Sequence, residues 1–578
     1  MELDESKPDI KWQALSSTDI REELLSLNTL VKSCYGPHGK LKVIQVKAGC
    51  HMTVTTSSRR LIANLPRPHP IVQLLFAAVQ AHLQLYSDFG LFACLLTSQL
   101  VLDMTNTGLN QMLCSAFVRK ACQLCLDHLE KAAACSCRLA LDFSHLREVL
   151  AVVETLIESK PACILDGKER KELALLMVRV FLRSLPEGGS TAATDGCVIF
   201  CCVDGKSASD THSLDGLLVE APEICHDVPS TWQWKLTPEG RIKVAVFSTS
   251  LAGDSDQFYS VEYKLGRNLS KEQVVVAHIK ELMDRLIDDG IGLVSCQKVI
   301  HISVKEYLEE RGVYALERLS IRYIHGMETL TGGSLISSLH PGNPNCCYGY
   351  LNNIEHVVQR DRSYLHLTAN GTRVQTLVIC NLQEEALEEL KVVLDTVHHT
   401  LYQLLPDSSA VLVGGGCLET HLATLIRNQM NGKTGEYSKE LRCSHAQILT
   451  LCAAFTKSLE AVARVTVESH EHQTDSVHGH HWTAGQADNT TTATDADHRC
   501  ACKLMSHSDV TDVGGDFTDL GYSGDIYSKT SAHGFGNEET RKEVEKDMHV
   551  DLQTAKSSAF RLAADTASMI LSIGNIIT

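Results

Sequence analysis

Apolar residues are spaced as in helices at both ends of the chain and as in strands in its middle, and this order constrains the fold most. Near the start, every third or fourth residue is apolar, so one helix face is predicted to hold Ile20, Leu24, Leu27, Val31 and Cys34. Similar spacing predicts helices at 71–86, from Gly90 onward, over most of 143–185 and at 384–405. A closing helix is predicted to bury Ala555, Ala559, Leu562, Thr566, Met569 and Ile573.

The middle of the chain has a different pattern. Short runs rich in β-branched and aromatic residues, bounded by Gly, Asp and Ser, predict buried strands at 198–203, 242–247, 293–296 and 314–316. Helical spacing at 271–289 and 304–311 alternates with these strands. Such alternation is typical of an α/β unit, here inserted into a helical framework. The predicted fold class is therefore a multidomain protein with α and α/β parts.

Composition excludes several classes of protein. The 578 residues suffice for three to four domains, and 53 Lys+Arg against 70 Asp+Glu give a net charge of −17. An acidic chain without a basic run is not expected to bind nucleic acid through its phosphates. The 22 cysteines are scattered, many in apolar runs, which favours reduced thiols in an intracellular compartment. The sequence predicts neither a secretory signal nor a membrane-spanning helix.

Two glycine-rich turns are candidate phosphate-binding loops. One contains Gly36, Pro37 and Gly39 after the first helix, and the other is the run Gly414–Gly416 before a predicted helix at 417–426. Glycine permits close backbone approach, and exposed N–H groups at a helix start can bind phosphate. Either turn is equally compatible with a plain connector. Asp88 precedes a predicted helix, where an N-cap is the ordinary role.

Other catalytic and metal motifs are not supported. Residues 204–207 end like a phosphate-binding Walker loop, but Phe200 stands where its first glycine is required. The polar segment from about 469 to 545 is predicted to be a long insertion or mobile loop. Its histidines, and Cys500 and Cys502, lack the spacing of a zinc knuckle, so no metal site is predicted. No Gly-x-Ser-x-Gly elbow marks a Ser-His-Asp triad.

The order of these elements resembles a subunit of the group II chaperonin (TCP-1) family from end to end. Within the family, the chain resembles the chaperonin-like branch linked to McKusick–Kaufman and Bardet–Biedl syndromes. The segments that carry the resemblance are Ser33–Pro37, Ser87–Phe92, Ser159–Cys163, Cys296–His301 and Gly414–Ala423. The resemblance implies a helical equatorial domain (1–143 and 403–578), a hinge-like intermediate domain (144–205 and 367–402) and an α/β apical domain (206–366).

The resemblance also implies where nucleotide would bind. Matching positions in the family's nucleotide-binding loops are Gly36, Pro37, Gly39, Asp88, Gly414, Gly415 and Gly416. The chain departs from the family pattern elsewhere. Phe89 replaces a glycine of a Gly-Asp-Gly-Thr-Thr turn, and Thr56-Ser57-Ser58 replaces Asn-Asp-Gly. Thr396 occupies the position of the catalytic aspartate, and Asp395 lies about 100° away on the same helix.

These departures imply a chaperonin body without effective hydrolysis, with ATP and magnesium bound weakly at most, no catalytic residue and no metal site. The expected role is assembly of the Bardet–Biedl ciliary coat complex (the BBSome), and hence cilium function. Expected partners are sister chaperonin-like proteins, the cytosolic chaperonin and unassembled BBSome subunits. Expected locations are the cytosol, the centrosome with its pericentriolar region, and the basal body. The alternatives are an ATP-dependent folding subunit, or a centrosomal scaffold; a one-residue shift that makes Asp395 catalytic would favour the former.

Overall fold

A computed structural model provides the structure of the chain. It describes residues 12–14, 18–45, 52–65, 69–130, 137–141, 143, 145–186, 196–220, 234–253, 271–339, 344–359, 362–406, 410–466, 549–573 and 575–577. The segment predicted to be a long polar loop, 469–545, lies outside these residues. The chain divides into two compact units, unit 1 (Met1–Val178 with Glu384–Thr578) and unit 2 (Arg179–Gln383). The prediction of three domains built from five segments stays a prediction.

Unit 1 is mainly helical and is built from both ends of the chain. Its N-terminal helices are α1 (Thr18–Lys32), α2 (Ser58–Asn64), α3 (Pro70–Tyr86), α4 (Gly90–Asn106), α5 (Gln111–Glu130), α6 (Leu146–Glu158) and α7 (Gly167–Ser184), which continues past the boundary. Its C-terminal helices are α11 (Glu384–Gln403), α12 (Cys417–Gly432), α13 (Thr434–Glu440), α14 (His445–Ala463) and α15 (Gln553–Leu571). A short 3₁₀ turn, Pro161–Cys163, follows α6.

Short strands tie the two ends of unit 1 together. They are β1 (Trp12–Ala14), β2 (Lys42–Ile44), β3 (Thr53–Thr55), β4 (Arg138–Ala140), β15 (Ala410–Val413), β16 (Val550–Leu552) and β17 (Asn575–Ile577). β15 pairs antiparallel with both β4 and β16, β2 pairs with β3, and β1 pairs with β17. N-terminal and C-terminal strands of unit 1 are thus joined by backbone hydrogen bonds.

The core of unit 1 surrounds α4. Apolar residues cover almost the whole circumference of this helix, and all of Leu91–Ser98 is buried, as expected for a helix with neighbours on every side. The predicted face of α1 is confirmed, with Ile20, Leu24, Leu27, Val31 and Cys34 all buried. The predicted face of α15 is partly wrong. Ala563, Ala567 and Ile570 are fully buried, whereas Met569 is 55% exposed.

Unit 2 is an α/β unit. Its strands are β5 (Val198–Asp204), β6 (His212–Asp215), β7 (Leu217–Glu220), β8 (Ile242–Phe247), β9 (Leu293–Cys296), β10 (Tyr314–Leu316), β11 (Gly349–Leu351), β12 (Asn353–Gln359), β13 (Arg362–Thr368) and β14 (Gln375–Asn381). Its helices are α8 (Lys271–Asp288), α9 (Ile302–Glu309) and α10 (Ile321–Thr331). The four strands predicted from the sequence are all present, and their bounds agree within one residue.

The main sheet of unit 2 has the order β10-β9-β8-β11, with β8, β9 and β10 parallel and β11 antiparallel. Side chains of β8 alternate between its faces, because strand side chains have a period of two. Ala245 and Phe247 pack in one apolar cluster, and Val244 and Val246 in the other. Burial on both faces explains why β8 is a continuous apolar run. The smaller sheets have the orders β12-β13-β7 and β5-β14-β6.

Candidate functional site

A cavity of about 110 Å³ in unit 1 collects most of the residues predicted to face a nucleotide. Its walls come from the loop after α1, the α3–α4 turn, the end of α6, the start of α12 and the start of α15. Gly36, Pro37, Asp88, Gly415 and Gly416 all line it. Gly39 and Gly414 are not among its lining residues. The assignment of these residues to nucleotide binding stays a prediction.

The turn after α1 requires glycine at two positions. Gly36 has a φ of +83°, in the left-handed region that favours glycine. The Gly39 N–H donates to the Gly36 carbonyl at 3.0 Å. A Cβ at Gly39 would lie 2.3 Å from the Cys34 carbonyl oxygen, so no larger residue fits. Gly39 therefore shapes the loop that presents Gly36 to the cavity.

The second glycine-rich turn precedes α12. Gly415 and Gly416 have φ values of +65° and +88°, and α12 begins at the next residue. The Thr466 hydroxyl donates to the Gly415 carbonyl at 2.8 Å, and the Gly414 N–H donates to the His549 carbonyl at 2.9 Å. The start of α12 thus faces the cavity, and helix N-termini favour negative charge.

In the α3–α4 turn, two residues other than glycine adopt the left-handed backbone conformation that favours glycine. Ser87 and Phe89 have φ values of 64° and 61°, which cost about 1–2 kcal/mol each in a non-glycine residue. The turn is held by side chains: Arg59 donates to Ser87 Oγ at 2.8 Å, and Ser87 Oγ is 3.1 Å from His399 Nδ1. Such strain persists only where the surroundings fix it. The Phe89 ring itself lines the cavity.

Asp88, one of the predicted nucleotide-binding residues, is paired with a cation from the protein itself. Its Oδ1 is 3.2 Å from Lys160 Nζ, and the two side chains are only 13% and 14% exposed. Lys160 Nζ also donates to Ser159 Oγ at 3.1 Å. The acidic group at the cavity wall is therefore compensated by an internal ammonium group.

Lys556 is a cavity residue that sequence reasoning missed. This side chain of α15 is 3% exposed and pairs with Glu419 Oε1 at 2.7 Å and Asp551 Oδ2 at 3.2 Å. Its ammonium group also lies 3.9 Å from the centroid of the Phe92 ring. Burial acts to lower the pKa of Lys556, but the two carboxylates outweigh burial and hold this pKa well above its usual range. Lys556 lies about 100° from the centre of the predicted buried face of this helix, so periodicity gave no signal that it is buried.

The position on α11 that the sequence predicts to match the family's catalytic aspartate is Thr396. Thr396 is buried, and its hydroxyl donates to the Val392 carbonyl one turn earlier at 2.9 Å. Asp395 pairs with Arg59 at 2.6 Å, and Arg59 is the residue that also binds Ser87. Neither Thr396 nor Asp395 is among the residues that line the cavity. The carboxylate next to Thr396, that of Asp395, therefore binds Arg59 and does not line the cavity.

Glu389 joins α11 to the loop that replaces the family's Asn-Asp-Gly. Its buried carboxylate accepts hydrogen bonds from the backbone N–H groups of Thr56 and Ser57 at 2.9 and 2.8 Å. It also accepts from the Thr55 hydroxyl at 2.7 Å and pairs with Arg60 at 3.2 Å. We name this set of contacts the Glu389 network. Sequence reasoning identified Thr56-Ser57-Ser58 as the replacement for Asn-Asp-Gly but did not identify its acidic partner.

Within the residues that the structure describes, no group of three or more His, Cys, Asp and Glu side chains could hold a metal ion. The histidine-rich segment, with Cys500 and Cys502, lies outside those residues. In the same described part of the chain, no helix is long and apolar enough to cross a membrane.

The helical unit, the inserted α/β unit and the glycine-lined cavity together are the features expected of a chaperonin subunit. A sequence profile of the TCP-1/cpn60 chaperonin family matches residues 27–513, and the chain therefore belongs to this family. It is similar to the molecular chaperone MKKS of Mus musculus (31% identity over all of this chain and 99% of that protein) and of Homo sapiens (30%, the same coverage). It is also 23% identical to the thermosome subunit alpha of Sulfurisphaera tokodaii, over 71% of this chain and 73% of that protein. The predicted resemblance is confirmed.

Proposed function

We propose that this protein is a chaperonin-like assembly factor without effective ATP hydrolysis. The observation that supports this most directly is on α11, where Thr396 bonds to its own helix and Asp395 bonds to Arg59. A positioned acid or base contributes ~10²–10⁴-fold to a reaction. A site that lacks such a group at the expected place would hydrolyse ATP too slowly to drive a folding cycle.

The cavity residues fit a phosphate group better than they fit magnesium-dependent hydrolysis. Gly36, Gly415 and Gly416 keep the backbone geometry that lets N–H groups face an anion. Asp88, however, is already paired with Lys160. It could coordinate magnesium only if that ion pair were broken. The cavity of about 110 Å³ is also below the ~300–1,000 Å³ usual for ligand pockets. We therefore propose weak ATP and magnesium binding at most.

The proposed role is assembly of the BBSome, with sister chaperonin-like proteins and the cytosolic chaperonin as partners. It would act in the cytosol and at the centrosome and basal body. Support comes from the similarity to MKKS, which is named a molecular chaperone, and from apolar side chains on unit 2. Val299, Ile302 and Ile321 are 41%, 63% and 84% exposed, and they follow β9 and β10. Exposed apolar residues of this kind could hold an unfolded client through apolar burial.

The loss of hydrolysis is tested by ATP turnover of the purified wild-type protein, Thr396→Asp and Asp88→Asn. We expect wild-type turnover to equal that of Asp88→Asn, because neither has a positioned acid on α11. Thr396→Asp tests whether an acid at that position is the missing group. Magnesium-dependent turnover by the wild type that Asp88→Asn abolishes and Thr396→Asp does not increase would contradict the proposal.

A working ATP-dependent folding subunit is the second candidate. It is favoured by one observation, the intact pair of glycine turns around the cavity. The same turnover measurement separates the two candidates, because a folding subunit has to hydrolyse ATP in its wild-type form.

A further inference from the structure

Cys346 differs from the other cysteines that the structure describes. Most of them are buried, and several, such as Cys94 and Cys122, have a pKa that burial raises to about 12. A buried, protonated thiol is a poor nucleophile and a poor metal ligand. Cys346 alone among the described cysteines is exposed. It is therefore the described thiol most accessible to ligands from solution.

The neighbouring thiol of Cys347 lies beside it. The Sγ atoms of Cys346 and Cys347 are 3.9 Å apart, at the end of the 3₁₀ turn Pro344–Cys347 in unit 2. Adjacent residues often direct their side chains apart, so this short separation is a specific feature of the turn. It gives unit 2 two sulfur atoms that one ligand can reach.

The position of Cys347 is fixed by the surrounding backbone. Its carbonyl accepts a hydrogen bond from the Ser334 N–H at 3.1 Å, and its side chain packs against the apolar cluster beside α8 and α9. A Cβ at Gly333 would lie 2.8 Å from the Cys347 carbonyl oxygen, so the two segments are in close contact. β11 begins two residues later, at Gly349. The turn therefore holds one sulfur in place and presents the other to solvent.

The separation of the two sulfur atoms suits a tetrahedral metal ion. Zinc–thiolate bonds of ~2.3 Å at the tetrahedral angle place two sulfur ligands ~3.8 Å apart, against the 3.9 Å observed. Since the described residues provide no cluster of three or more ligands, the pair would supply two of four positions. The other two would be open to water or to ligands from another molecule, as in an open metal site.

We propose that Cys346 and Cys347 form a dithiol site that binds a thiophilic d¹⁰ cation such as Zn²⁺ or Cd²⁺ through both sulfur atoms. The site lies in unit 2 and is independent of the cavity in unit 1. Soft thiolate ligands select such cations over Mg²⁺ and Ca²⁺. Binding displaces the thiol protons, so M²⁺ and two S–H groups give the M(S)₂ unit and two H⁺, without an oxidant.

The affinity should rise with pH. Protons compete with the cation for the two sulfur atoms, because metal binding has to displace the thiol protons. Raising the pH removes that competition. The second sulfur binds intramolecularly, and a gain of ~10²–10⁴-fold over a single thiol is typical of such bivalent binding.

The test measures alkylation of Cys346 by iodoacetamide in the full-length protein, read by peptide mass spectrometry with and without Zn²⁺ or Cd²⁺. Peptide masses separate this pair from the other cysteines and from histidines, and fragment ions locate the label on Cys346 or Cys347. The variants are Cys347→Ser and Cys346→Ser, the latter read at Cys347. The control is Cys443→Ser, a half-buried cysteine elsewhere.

We expect either cation to slow alkylation of Cys346 in the wild type and in Cys443→Ser, at concentrations that leave Cys347→Ser unprotected. Cys346→Ser should likewise remove the protection of Cys347, which covers the case in which Cys347→Ser perturbs the turn. Equal protection of Cys346 in wild type and Cys347→Ser would show binding by a single thiol and overturn the proposal. Absence of protection in the wild type would overturn it as well.

Discussion

Single residues decide how the cavity differs from an open nucleotide site. Ser87 and Phe89 keep left-handed backbone angles without being glycine, and Asp88 and Lys556 meet charges within the protein. Phe89 and Asp88 were singled out from the sequence, because they stand at or beside a motif. Lys556 was not, since a lysine on a helix is ordinarily a solvated residue. Its role depends on carboxylates 5 and 137 positions away in the chain, Asp551 and Glu419.

The charge of Lys556 is predicted to be essential for stability. Lys556→Met leaves the carboxylates of Glu419 and Asp551 buried without their cation, and breaking a buried ion pair in this way costs about 3–5 kcal/mol. Urea unfolding of the variant and the wild type measures the loss. Lys120→Met is the control, because the Lys120–Glu440 pair is much more exposed and such pairs contribute about 0–1 kcal/mol. Equal effects of the two substitutions would contradict the prediction.

At the scale of elements, the helices and strands that the sequence predicted are present, but others, such as α5, α14 and the strands β11–β14, were not predicted. β8, β9 and β10 are found at their predicted residues, and α11 at 384–403 against a predicted 384–405. The buried face of α15 was less well predicted. Ala563 and Ala567 are buried in place of Leu562 and Met569, because small side chains let α4 and α5 approach the helix closely. Periodicity alone favours the larger apolar residues and cannot reveal such close packing.

The Glu389 network is predicted to hold α11 on the loop after β3. Glu389→Gln replaces one acceptor oxygen by an N–H₂ group that faces other donors, so we expect a loss of about 2–4 kcal/mol in the free energy of unfolding. Hydrogen exchange should also become faster at the Thr56 and Ser57 amides, which donate to this carboxylate.

Glu388→Gln is the matched control for this prediction. The residue is adjacent on α11 but exposed, so stability and amide exchange should stay at wild-type values. If Thr56 and Ser57 exchange equally fast in the wild type and in Glu389→Gln, the network does not protect this loop.

At the scale of the whole molecule, the chain belongs to the chaperonin family over most of its length, with an α/β unit inserted into a helical one. The −17 net charge excluded nucleic acid as an expected partner but did not indicate a client. The client and the partners are part of the proposed function, and they have to be tested in cells.

Depletion of the protein is predicted to leave the BBSome incompletely assembled. Sedimentation of BBSome subunits from depleted cells should shift to smaller sizes, and wild-type protein should restore the full complex. Asp88→Asn, expressed at a matched level, should restore it equally well, because the proposed role does not need hydrolysis. A complex of normal size in depleted cells would contradict the assembly role, whereas failure of Asp88→Asn alone would favour the ATP-dependent candidate if urea unfolding shows that the variant stays folded without its Lys160 pair.

The sequence by itself determined the helical and α/β parts, the family and the glycine turns, and it predicted an altered catalytic position, because these depend on local periodicity and on motifs. Only the tertiary structure decided which groups meet. It paired Asp88 with Lys160, Asp395 with Arg59, and Glu389 with the loop at Thr56. These partners are 72 to 336 positions apart. Such contacts are set by tertiary packing, for example of α11 against α6 and β3, and local sequence does not encode a partner at that distance.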